Sequence, residues 1–126
     1  MITNEHLDNQ VRASFRRTPR GFVSNNLGVA LCPQYTIAAV AMHQVAPGAE
    51  LDLPEGYDKA MFALAHFRYG WLNTTVEVPV QEARDYAHIG QQLLRLNEAG
   101  AIHPPLRTLE IKSIEHLLAQ VAELPA

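Results

Sequence analysis

No Asp, Glu, Lys or Arg occurs between Gly21 and Ala49, a run of 29 positions. Elsewhere charge is also sparse: 18% of the chain, against about 25% in an average soluble domain. Only one cysteine is present, Cys32. That excludes an internal disulfide and any multi-cysteine zinc or iron–sulfur site. Glycine-rich phosphate loops, a G-x-S-x-G elbow and an H-E-x-x-H helix are all absent. The six histidines never fall two, three or four residues apart, so no local pair can chelate a metal. No metal or cofactor is expected.

The uncharged run is a poor membrane span. Asn25, Asn26, Gln34, His43 and Gln44 are scattered through it, Pro33 and Pro47 interrupt it, and no unbroken apolar stretch exceeds seven residues. A span needs about 20 mostly apolar residues. The opening MITNEHLDNQ lacks the basic and apolar regions of a signal peptide. With its single thiol, the chain is expected to be cytoplasmic.

What is there points to one domain over residues 1–126. Its 48% hydrophobic content is enough for one continuous core. The net charge of −3 does not favour nucleic acid or an anionic membrane surface. Scarce charge on a small domain means that some surface leaves water. Two covers fit: a second copy of the chain, giving a homo-oligomer, or an apolar small molecule in a cavity.

The pattern predicts a helix over 4–17, with Leu7, Val11 and Phe15 on one stripe. Residues 35–45 read two ways. Pro33 and three alanines suit a helix; Tyr35, Thr36, Ile37, Val40 and Val45 suit a strand, apolar on both faces and buried in a covered sheet. The strand is the preferred reading. Residues 58–70 fit a helix capped by Asp58 better than a buried strand. A strand follows at 74–78, then a long helix from 79 to 99 closed by Gly100. Residues 106–112 alternate like a half-wet strand, and Ser113 is placed to cap a final helix. The expected fold is α+β: a small antiparallel or mixed sheet packed with helices. If both ambiguous runs are helices, the fold is mainly α.

Candidate site residues follow from the same reading. His43, His66, Arg68, Tyr69 and Trp71 could wall an apolar, aromatic ligand pocket. Arg12, Arg16, Arg17 and Arg20 form the one basic cluster, able on a helix to grip a phosphate or a nucleic-acid backbone. Asp85 and His88 share a helix face but stand alone, as solvated surface. Leu93, Leu94, Leu96 and the final helix are candidate interface elements for an oligomer.

Overall fold

The computed structural model describes residues 5, 9, 15–18, 21–24, 32–70 and 76–124. Among the described residues four helices carry the architecture: α1 (Pro33–His43), α2 (Lys59–Gly70), α3 (Val80–Glu98) and α4 (Thr108–Ala122). Three short strands, β1 (Phe15–Thr18), β2 (Gly21–Ser24) and β3 (Val76–Val78), pair antiparallel in that order. Phe15 lies opposite Ser24, and Phe22 opposite Val78.

The expectation of an α+β domain built on a sheet is therefore corrected: the protein is mainly helical. The strands are only three or four residues long, and Val78 at the end of β3 is buried in the core. The decisive segment is 33–43, which is a helix and not a covered strand. Pro33 opens it, with Cys32 extended at the N-cap. Its β-branched residues are overruled by packing, because α2, α3 and α4 all contact it. Six of its eleven residues are buried, over a broad arc of the helix, and all the others except His43 are half-buried. A helix that buries so wide a face belongs in a core, and that explains the missing charges.

Gly90 makes the closest crossing. A β-carbon there would meet Ile37 Cδ1 and Ile114 Cγ2, each at 3.0 Å, so its absence lets α1, α3 and α4 converge. The end of α1 is tied to the α3–α4 connection. His103 N–H donates to Gln44 O at 2.7 Å and Ala46 N–H to Ala101 O at 2.9 Å.

Three further expectations are corrected. Residues 108–112 begin α4 and are not strand: Glu110 reaches back to the Arg107 N–H at 2.9 Å and starts the helix there. Ser113 lies inside that helix, fully buried. The predicted helix over 4–17 gives way to β1 at its end. Glu5 and Asn9 are helical, and the rest of that span lies outside the described residues. The helix at 58–70 appears as expected, with Asp58 Oδ1 accepting from the Met61 N–H at 2.9 Å.

Candidate functional site

Helix α2 has two apolar faces. Phe62, Ala65 and Tyr69 are buried. Ala60, Ala63, Leu64 and Phe67, at spacings of three and four, are exposed. Leu64 keeps 63% of its surface and Phe67 52%. They are the exposed large hydrophobic residues of the described chain, and they are neighbours on one helical turn. The sequence carried the signal in the 60/63/64/67 spacing, but the equally apolar inward positions masked it. The Leu93–Leu96 stripe, by contrast, is covered by its own chain: Leu93 is fully buried, and Leu94 and Leu96 pack on the core.

The four described candidate pocket residues fall into two pairs. His43 is exposed at the end of α1. His66 is half-buried and stacks on Tyr35 of α1, ring centroids 4.1 Å apart. Burial holds the His66 imidazole below its ordinary range, and the nearby His43 lowers it further. These two histidines therefore share one corner of the α1–α2 pair. Arg68 and Tyr69 lie elsewhere. The Arg68 guanidinium stands 5.3 Å from the Tyr69 ring centroid, and the Tyr69 hydroxyl donates to Glu82 at 3.4 Å. Trp71 lies outside the described residues.

Glu82 belongs to a half-buried polar group that the sequence did not single out. Burial pushes its carboxyl up, with Arg68 and Tyr69 pulling the other way. Tyr57 is raised by burial and by Asp85, to which it is hydrogen-bonded. Its ring meets Tyr86 edge-on at 5.6 Å. Arg68, Tyr69 and Glu82, with Met61, Leu64 and Ala65, line a cavity of about 40 Å³. That is room for little more than a water or two.

A second polar arrangement joins α3 to the loop before α2. The Gln92 amide accepts from the Asp52 N–H at 2.7 Å and donates to Asp52 O at 2.8 Å. His88 Nε2 meets Asp52 Oδ2 at 2.9 Å. Thus His88 faces a loop carboxylate and not its helix neighbour Asp85. Glu50, Leu51, Asp52 and Gln92 line an open groove of about 610 Å³. Among the described residues, no group of three or more His, Cys, Asp or Glu is placed to hold a metal ion.

Of the basic cluster, Arg16 and Arg17 lie on β1, opposite Val23 and Phe22. The helical alignment expected for them is not the local backbone, and Arg12 and Arg20 lie outside the described residues. Among the described residues, no helix is long and apolar enough to cross a membrane. No family model matches the chain, and neither the curated proteins nor the solved structures give a match.

Proposed function

We propose that the chain is a homo-oligomeric interaction module that associates through the outward face of α2. One observation carries this reading: Ala60, Ala63, Leu64 and Phe67 form a continuous exposed apolar stripe opposite the face that α2 buries. Single exposed apolar residues are ordinary, but an adjacent set on one helix face is the form a helix-packing surface takes. Two alanines beside two large residues allow close approach with interdigitation. A second copy is the proposed partner, and the scarcity of charge over the whole chain supports a surface of this kind.

Native mass spectrometry tests the reading. The wild-type chain is expected as an oligomer, and Leu64→Glu with Phe67→Glu as a monomer of unchanged helicity. A monomeric wild type would overturn it. An apolar small molecule is the weaker alternative. The cavity shared by Arg68 and Tyr69 is well below the 300–1,000 Å³ usual for a ligand pocket.

A further inference from the structure

The Leu64 and Phe67 ridge of α2 needs a surface that receives it, and the openings lined by described residues differ in what they admit. The cavity beside Leu64, about 40 Å³, is too small for a side chain. The groove at Asp52 is lined by Glu50, Asp52 and Gln92 beside Leu51, and an apolar ridge laid there would strip water from two carboxylates. The opening between α3 and α4 is of another kind. Ala87 is its buried floor, Leu118 and Val121 are half-buried, and Gln91 and Ala122 are exposed. At about 350 Å³ it falls in the roughly 300–1,000 Å³ range of clefts that take up a compact apolar group. One leucine beside one phenylalanine on a helical turn is such a group.

Position makes the contact intermolecular. α2 turns Phe62, Ala65 and Tyr69 inward and packs chiefly on α1, which packs in turn on α3 and α4. The ridge lies opposite that buried face, so it points away from α1 and from the groove of its own chain. Charge separates this partner surface from a second α2. Between Lys59 and Gly70 the chain carries Lys59 and Arg68 and no carboxylate, so α2 laid on α2 would bring like charges together. The groove is flanked by both signs: Arg84 and Arg95 on α3, and Glu115 and Glu123 at the α4 side. A cationic helix finds carboxylates there that its own copy does not offer.

We propose that the α3–α4 groove of one copy receives the Leu64 and Phe67 ridge of a second. This rests on the reading of α2 as the associating face and adds the surface it meets.

Native mass spectrometry of the full chain tests it with a ridge variant, Leu64→Glu with Phe67→Glu, and a groove variant, Gln91→Arg with Ala122→Arg. Gln91 and Ala122 are exposed, so the groove variant keeps the fold, which circular dichroism checks. Each variant alone is expected as a monomer, with complete loss of the wild-type oligomer. Mixed, the two should form a heterodimer, because the ridge variant retains a groove and the groove variant retains a ridge. A groove variant as oligomeric as the wild type overturns the groove and leaves the α2 reading standing. Two monomeric variants that do not pair on mixing also overturn the groove. A monomeric wild type overturns both. Should either variant not fold, hydrogen exchange of the wild type at low and high protein concentration decides. Protection that rises with concentration in both α2 and residues 118–122 supports the contact. A rise confined to one of the two overturns it, and a rise in neither overturns the α2 reading as well.

Discussion

Helices α1 and α2 are nearly the same length, 11 and 12 residues, and pack against each other. Both are rich in alanine, and neither shows a clear polar side in sequence. Their surroundings differ. α1 packs against three other described helices and buries six of its eleven residues. α2 gives Phe62, Ala65 and Tyr69 to the core and leaves Leu64 and Phe67 in solvent. Apolar residues at every phase of a helix therefore state how much of its surface should leave water. They do not state which molecule covers it. For α1 the cover is its own chain; for α2 the proposed cover is a second copy.

The sharpest contrast comes from equal truncations on the two helices. Ile37→Ala opens a cavity where α1, α3 and α4 converge, and such changes cost about 2–5 kcal/mol. Leu64→Ala removes a side chain that is 63% exposed and should change monomer stability by no more than about 0.5 kcal/mol. At high protein concentration, however, Leu64→Ala should lose stability that the wild type gains from association. Denaturant unfolding at two protein concentrations reads both effects. If Leu64→Ala is equally stable to the wild type at both, α2 has no partner there.

How much of this was legible in the sequence follows from the same pair. The long helix at 80–98 was plain, because its polar and apolar faces separate cleanly. Segment 33–43 was not. Six buried positions on one broad face of a short helix, beside further apolar residues, blur the periodicity that distinguishes helix from strand, and Thr36, Ile37 and Val40 then tip a local reading toward strand. Likewise, Leu109 and Ile111 suggest alternation until Glu110 is seen folding back on the Arg107 N–H. The site was less legible still. His66 and Arg68 are two residues apart, yet one meets Tyr35 and the other Tyr69. Glu82 reads as an ordinary first-turn acid until burial places it beside Tyr69. Pairings such as Asp52 with His88, 36 residues apart, have no local signature.

Glu82 offers a smaller effect, on the inner side of α2. Its carboxyl is raised above its ordinary 4.5 by burial, against the opposing pull of Arg68 and Tyr69 and with Asp85 adding to the rise. A group raised in the fold holds its proton more tightly folded than unfolded. Its contribution is full below 4.5 and is lost as pH rises through the folded value. Glu82→Gln keeps an acceptor for the Tyr69 hydroxyl and removes the charge. The variant's stability should therefore gain on the wild type as pH rises from 4.5 toward neutral. Parallel profiles across that range would mean that Glu82 is not held in a desolvated site.

The smallest effect lies on the seam between the two helices. His66 is lowered from 6.5, first by burial and then by His43, while its ring stacks on Tyr35. The unfolded chain takes up the proton at a higher pH than the folded one. Stability is then intact above 6.5 and declines as pH falls toward the folded value. His66→Phe preserves a ring against Tyr35 and cannot be protonated, so it should flatten the profile below 6.5 while leaving it unchanged above. Because His66 is only half-buried, the step is modest and is best read as a difference in midpoint between variant and wild type. A difference that stays constant through that window would show that the α1–α2 seam carries no titrating group. The seam would then hold by ring packing and apolar contact, with no contribution from the charge state of His66.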